Sequence, residues 1–176
     1  MSGVEILIRP ERADDRAAIA TLVATAFGRP DEAHLIDRLR TDGDALTSLV
    51  ATASPDLAGH ILFSRLDIAA DHGTIAAASL APLAVLPAWQ RGGIGSALVR
   101  AGIDACRACK VSAVIVLGHE TYYPRFGFAP ALARNLQAPF AGDAFMALEL
   151  EPGTLGIGAG TVRYARAFGL PAPFTR

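Results

Sequence analysis

The stretch that decides the fold is L-A-P-L-A-V-L-P-A-W-Q-R-G-G-I-G-S-A-L-V-R-A-G, residues 80–102. Its first seven residues form an apolar run that predicts a buried strand, and Pro87 ends that strand. The sequence Q-R-G-G-I-G at residues 90–95 predicts a turn, and helical spacing follows from Ser96. The first N–H groups of a helix lack intrahelical partners, and the helix dipole attracts negative charge to them. The stretch therefore predicts a site for the pyrophosphate of a nucleotide-like cofactor.

The composition predicts one domain that can bury a core, since 52% of its 176 residues are apolar and 19% are charged. No apolar run approaches the roughly 20 residues of a membrane-spanning helix, and the N-terminus lacks the features of a signal peptide. The net charge is −1, and no basic stripe with interleaved aromatic residues is present. We therefore expect a cytoplasmic protein without a membrane or nucleic-acid partner.

The hydrophobic pattern predicts the element order β-α-α-β-β-β-α-β-α-β-β. The predicted elements are a strand at 4–8, helices at 11–27 and 31–40, strands at 45–53, 57–68 and 74–86, a helix at 94–108, a strand at 111–117, a helix at 119–126, a strand opening at 127–128, and a strand at 145–150. The strand–helix–strand unit at 80–117 implies two parallel strands with a right-handed crossover. The fold class is therefore α/β, with a mixed sheet and helices on both faces.

The tail is the least regular part of the chain. Residues 1–150 are predicted to form the domain, and residues 151–176, rich in glycine and proline, a C-terminal appendage packed on it. We expect the tail to be ordered because it carries apolar anchors that a disordered segment does not need, at Val162, Tyr164, Phe168 and Phe174.

Cys106 and Cys109 are three residues apart near the end of a predicted helix. A redox pair of this spacing belongs at a helix N-terminus, where the dipole lowers the thiol pKa. No second cysteine pair and no histidine cluster accompany these two. We therefore predict that the cysteines fill space and that the protein holds no metal.

Two other glycine-rich phosphate sites do not match the turn. A P-loop requires a lysine after its last glycine, and the single lysine of the chain is Lys110. A dinucleotide fingerprint requires a third glycine, which is missing after Gly93 and Gly95. The pattern Q/R-x-x-G-x-G/A remains and is filled by Gln90, Gly93 and Gly95.

Together with Y-Y-P-R-F-G-F at 122–128, this turn resembles the GNAT acetyltransferase superfamily, and most of all its bacterial, YhbS-like branch. The resemblance implies the acyl-CoA N-acyltransferase fold, with a central, mostly antiparallel sheet. It also implies acetyl-CoA as the co-substrate and direct attack on the thioester by a primary amine of a small molecule or peptide. A homodimer is left open.

The resemblance assigns roles to matching positions. Backbone N–H groups of residues 91–96 would hold the pyrophosphate, and main-chain groups of Leu83 and Val85 would pair with the pantetheine amides. The N–H of Val85 would polarise the thioester carbonyl, and Tyr123 would protonate the departing thiolate. The predicted catalytic residue is thus Tyr123, and the predicted cofactor-binding residues are Leu83, Ala84, Val85, Gln90, Arg91, Gly92, Gly93, Ile94, Gly95 and Ser96.

The general base and the acceptor stay open. Residues 76–83 contain no carboxylate, although some family members carry a glutamate there. Candidate bases are His119, Glu120, Glu32 and Asp67, with less reason for His60 and His72. Acceptor selection is expected from residues 27–39 and 129–143, where the helix carboxylates are interpreted as a solvated face. The alternative function is a non-catalytic acyl-CoA sensor.

Overall fold

The computed structural model describes residues 5–156 and 158–172. The chain divides into two compact units. The first unit contains Met1–Phe63 and Ala81–Ala105, and the second contains Ser64–Leu80 and Cys106–Arg176. Two long strands, β3 (Asp56–Ala70) and β4 (Gly73–Val85), contribute residues to both units. None of the helices in the described residues is long and apolar enough to cross a bilayer.

The first unit places helices beside the strand order β1-β2-β3-β4. Its elements are β1 (Ile6–Pro10), α1 (Arg16–Phe27), α2 (Asp31–Thr41), β2 (Ala45–Ala53), its parts of β3 and β4, and most of α3 (Ile94–Ala108). Strand β1 pairs antiparallel with β2 from Ile6↔Ala53 to Pro10↔Leu49. Helix α1 ends at Gly28, whose φ of 71° is the left-handed conformation that glycine adopts without strain. This end lets α2 start three residues later.

The second unit is built around β5 (Ala113–Leu117). Strand β5 pairs parallel with β4 and antiparallel with β7 (Phe145–Glu149). Strand β8 (Gly160–Tyr164) pairs antiparallel with β3 and parallel with the two-residue β6 (Leu136–Gln137). The short helix α4 (Pro130–Ala133) precedes β6, and one-turn 3₁₀ helices lie at Tyr123–Phe126 and Arg166–Phe168.

An apolar core lies on one face of these strands. It contains Ile115 of β5, Ala147 of β7, Val162 and Tyr164 of β8, and Leu155 of the preceding loop, all buried. The predicted tail anchors Val162 and Tyr164 therefore take part in the core, whereas Phe174 lies outside the described residues. A domain boundary at residue 150 stays a prediction.

Most of the predicted elements are present with shifts of at most two residues. These are α2, β2, β3, β4, α3, β5 and β7, and the predicted parallel pair is β4 with β5. The first strand starts at Ile6 and reaches Pro10, and Val4 lies outside the described residues.

Two predicted elements are wrong in the segment after β5. The helix predicted at 119–126 is only a 3₁₀ turn at Tyr123–Phe126, because the carbonyl of His119 accepts the N–H groups of Tyr122 and Tyr123 and Pro124 has no N–H to continue the ladder. No strand opens at 127–128. Ala129 instead makes an isolated bridge with Ala147, and Pro130 then starts α4.

Candidate functional site

The start of α3 has the backbone geometry of an anion site. The first hydrogen bond into the helix runs from the N–H of Ala97 to the carbonyl of Gly93 over 3.0 Å. The N–H groups of residues 94–96 therefore precede the helical ladder and are left to an outside acceptor. Arg91 and Gly93 have left-handed φ values of 63° and 86°, which curl the exposed turn. Such turns present successive N–H groups to one anion.

Close packing fixes the position of this helix start in the first unit. A Cβ on Gly59 of β3 would lie 2.9 Å from Leu98 Cδ1 and 3.1 Å from Ile94 Cγ2. One turn further on, a Cβ on Gly102 of α3 would overlap the ring of Phe63. Glycine at these two positions therefore lets α3 lie directly on β3.

The end of β4 is hydrogen-bonded to the turn that precedes α3. The side-chain amide of Gln90 donates to the carbonyl of Val85 over 3.0 Å. The N–H of Leu86 donates to Ala58 on β3, also over 3.0 Å. Since successive N–H groups of a strand point to opposite edges, the N–H of Val85 points away from β3. It is available to a ligand that lies along that edge.

In the second unit, the pairing of β4 with β5 covers only part of each strand. It runs from Ala77↔Ala113 to Ser79↔Ile115, although β5 continues to Leu117. Pro82, further along β4, has no N–H for a ladder hydrogen bond. Leu117 is 48% exposed, whereas the four preceding residues of β5 are buried. The carboxyl end of β5 is thus open.

An open groove of about 650 Å³ lies at this end of β5. Its lining residues are Leu117, Gly118, His119, Glu120, Thr121 and Ala144. Five of the six follow one another in sequence and include two candidate bases. Ala144 was not predicted, because it reaches the groove through the pairing of β7 with β5.

Tyr123 is held against this groove by packing. A Cβ on Gly118 would overlap the Tyr123 ring, so the ring lies directly on this groove residue. Tyr122 and Phe128 contact the ring edge-to-face, with centroids 5.0 and 5.7 Å away. Burial raises the pKa of Tyr123 to about 12, and the charge of Tyr122 adds to the shift. The phenol therefore keeps its proton at neutral pH and is able to donate it.

Of the six candidate bases, only His119 and Glu120 line the groove. Glu32 is paired with Arg29 over 2.6 Å. His60 is fully buried in the first unit, with Nε2 2.8 Å from Ser48 Oγ. His72 lies exposed in the β3–β4 turn. Asp67 lies opposite Arg163 in the backbone register of β3 with β8. The structure thus separates two groove residues from four that lie elsewhere.

The cysteines are free thiols. Burial raises the pKa of Cys106 to about 12, so its thiolate is scarce, and Cys109 is exposed. Among the described residues, no group of three or more metal-ligating side chains comes together.

Comparison with known proteins gives matches over most of the chain. Residues 7–131 match the family model described as an acetyltransferase (GNAT) domain. An uncharacterized N-acetyltransferase of Escherichia coli K12, YjhQ, is 39% identical over 72% of this chain and 71% of its own length. A second one, YhbS, is 32% identical over 93% of this chain and 98% of its own length.

Two solved structures extend the similarity to three dimensions. The crystal structure of Escherichia coli YhbS in complex with CoA superposes with a TM-score of 0.86 at 30% identity, covering 100% of this chain and 98% of its own. A GNAT family acetyltransferase of Brucella melitensis in complex with acetyl-CoA gives a TM-score of 0.77 at 32% identity, covering 94% and 99%.

Proposed function

Because the chain belongs to the GNAT acetyltransferase family, we propose that it transfers acetyl from acetyl-CoA to a primary amine of a small molecule or peptide, by direct attack on the thioester. The family, the fold class, the acetyltransferase activity and the acetyl-CoA co-substrate that the sequence predicts are confirmed by these similarities. The identity of the amine and the roles of individual residues belong to the proposal.

The turn at residues 90–96 would bind the donor. Its unpaired N–H groups and the dipole of the fifteen-residue α3 suit a pyrophosphate. A Cβ on Gly93 would meet nothing within 4 Å, so it is the left-handed φ of 86° that favours glycine at this position of the turn. The N–H of Val85, which points away from β3, would donate to the thioester carbonyl and stabilise its developing negative charge.

The reaction would proceed in one displacement. The amine nitrogen attacks the thioester carbon, a C–N bond forms, and the C–S bond breaks. The amine proton passes to a base of the groove, His119 or Glu120. The departing thiolate takes the phenol proton of Tyr123, which the tyrosine regains from solvent. The observation that carries the proposal is the packing of the buried Tyr123 ring on Gly118 of the groove.

Substitution of Tyr123 by Phe tests the proposal. The variant keeps the ring contacts and loses the proton, so kcat should fall about 10²-fold or more with the affinity for acetyl-CoA unchanged. Calorimetry measures the binding of acetyl-CoA, and release of the CoA thiol with a panel of primary amines measures turnover. The matched control is Tyr122→Phe, since Tyr122 is partly exposed and its ring only flanks Tyr123.

Two results would contradict the proposal at different levels. Absence of heat with acetyl-CoA overturns the donor site at residues 90–96. Binding with equal turnover in Tyr123→Phe and Tyr122→Phe overturns the role of Tyr123 and leaves the donor site in place.

A further inference from the structure

A second cavity lies in the second unit, between α4, β6 and the segment before β7. Its volume is about 240 Å³. The floor is apolar and consists of Ala133, Leu136 and Phe145, which are 3%, 8% and 4% exposed. Pockets for drug-sized ligands usually occupy about 300–1,000 Å³. The cavity therefore suits a molecule of about the size of an amino acid.

Phe140 forms a fixed aromatic wall of this cavity. Its ring contacts Phe145 and Tyr164, with centroids 6.4 and 5.8 Å away. Both of these partners belong to the buried core. The wall is therefore rigid and offers an apolar surface to a ligand side chain.

Two side chains of opposite charge lie on the rim. Arg134 follows α4, and Asp143 precedes β7. Neither side chain makes an ion pair or hydrogen bond with any residue in the described ranges 5–156 and 158–172. By contrast, the carboxylate of Glu149 in the same unit accepts the N–H groups of Gly153 and Leu155 at 2.9 and 2.8 Å. One unpaired cation and one unpaired anion match a ligand that carries both a carboxylate and an ammonium group.

The register of the sheet makes this cavity a neighbour of the groove. Leu117 of β5 is paired with Phe145 of β7, so the two side chains lie side by side on one face of the sheet. Leu117 lines the groove, and Phe145 lines the cavity. Asp143 directly precedes Ala144, which lines the groove, whereas Arg134 lines only the cavity and has no groove residue next to it in sequence. A ligand ammonium bound at Asp143 would therefore lie beside a residue that is adjacent in sequence to the groove residue Ala144.

We propose that this cavity binds the acceptor, and that the acceptor is a free amino acid, or a molecule of similar size with an amine and a carboxylate, that has an apolar side chain. Arg134 binds the carboxylate and Phe140 contacts the apolar side chain. Asp143 binds the ammonium beside the groove, and the ammonium loses one proton to solvent before the neutral amine attacks the thioester. The inference rests on the proposed function, since the amine bound here is the nucleophile of the displacement described above.

Three probe molecules separate the contribution of the ligand carboxylate from that of the ligand amine. L-Phenylalanine carries all three features, phenethylamine lacks the carboxylate, and 3-phenylpropionate lacks the amine. With the full chain and saturating acetyl-CoA, we expect kcat/KM for L-phenylalanine to exceed that for phenethylamine about tenfold or more, since a charge-assisted hydrogen bond is lost. 3-Phenylpropionate should inhibit acetylation of L-phenylalanine competitively and should not react.

Variants test the residues. Arg134→Gln should lower kcat/KM for L-phenylalanine about tenfold or more and leave that for phenethylamine unchanged. Asp143→Asn should lower both, because both probes carry the amine. The matched control is Arg163→Gln, since Arg163 is an exposed arginine of β8 that lines neither the groove nor the cavity.

The outcomes separate the two proposals. If acetyl-CoA gives no heat in calorimetry, the proposed function fails and this inference fails with it. If acetyl-CoA binds but phenethylamine reacts as well as L-phenylalanine, or Arg134→Gln behaves as Arg163→Gln does, the inference is overturned and the proposed function stands. If acetyl-CoA binds but L-phenylalanine neither reacts nor gives heat with the CoA-bound protein, the inference is overturned as well.

Discussion

A polar cluster of the first unit and two charged side chains of the second unit are in opposite situations. In the first unit, Glu11, Arg40, Ser48 and His60 form a buried polar cluster in which the groups bind one another. In the second unit, Arg134 and Asp143 line a cavity without a partner among the described residues. The difference indicates which charges stabilise the fold and which are available to a ligand.

The buried polar cluster joins four segments of the first unit. The Glu11 carboxylate, just after β1, accepts hydrogen bonds from Arg40 Nη2 of α2 at 2.8 Å and from the Ser48 hydroxyl of β2. Ser48 also binds His60 of β3. Two nitrogens of the cluster, Arg40 Nε and His60 Nδ1, are buried without a partner in the described part of the chain. An unpaired buried polar group costs stability, whereas the ion pair of Arg40 with Glu11 at 2.8 Å contributes to it.

The largest effect is expected from Glu11→Ala. The substitution leaves Arg40, whose side chain is only 10% exposed, without its buried partner. Breaking a buried pair from one side costs about 3–5 kcal/mol, and we expect the lower end because Arg40 keeps a 2.8 Å contact to Asp37. Urea unfolding followed by the fluorescence of Trp89, the single tryptophan, reports on the first unit.

The control for Glu11→Ala is Asp31→Ala. Asp31 forms an exposed pair with Arg29 at 3.8 Å, and exposed pairs contribute about 0–1 kcal/mol. Equal losses in the two variants would show that the buried polar cluster contributes no more than a surface pair, and the contrast between the two units would disappear.

A smaller effect concerns pH. Burial lowers the pKa of His60 below 6.5, against the attraction of Glu11. The unfolded chain therefore binds a proton more readily at this position, and stability is lost as pH falls below 6.5. Burial alone would raise the pKa of Glu11, but the His60 imidazole 3.6 Å away and hydrogen bonds from Arg40 and Ser48 lower it from 4.5 to about 2. The contribution of Glu11 is present above pH 4.5 and is lost as pH falls from there toward 2.

Because the contribution of Glu11 to stability changes only below pH 4.5, the contribution of His60 can be measured separately at higher pH. Between pH 7.5 and 5.0, the urea midpoint of His60→Gln should fall less than that of the unsubstituted protein, because the variant lacks the titrating group. His72→Gln, in the exposed β3–β4 turn, should keep the original pH dependence. The same slope in all three proteins would exclude His60 as a source of acid sensitivity.

Local patterns in the sequence were sufficient for most of the fold. Each of α2, α3, β3 and β4 combines a clear hydrophobic period with a proline or glycine near one end, and their bounds follow from that alone. The segment 119–122 could not be predicted in this way, because H-E-T-Y has no period and the carbonyl of His119 already serves two N–H groups of the turn. Strand β6 has two residues, and only its pairing with β8 defines it.

The candidate site also contains residues that local patterns predict and residues that only the pairing of strands brings together. The turn at residues 90–96 and Tyr123 belong to short motifs whose members are close in sequence, so the sequence alone was enough to name them as candidates, and their roles stay predictions. Ala144, Phe145 and Asp143 line the groove and the cavity only because β7 pairs with β5 in the register Leu117↔Phe145. Register depends on the whole sheet, and a single sequence does not encode it locally.

The smallest effect is expected from removing the rim charges. Arg134→Gln and Asp143→Asn should each change the free energy of unfolding by less than about 0.5 kcal/mol, because exposed side chains without partners contribute little. Far-UV circular dichroism during urea unfolding measures this, and the double variant should equal the sum of the single ones. A loss above about 1 kcal/mol, or coupling between the two, would mean that these charges stabilise the fold as Glu11 does. In that case the cavity would no longer be a candidate ligand site, because its charged side chains would already have partners within the protein.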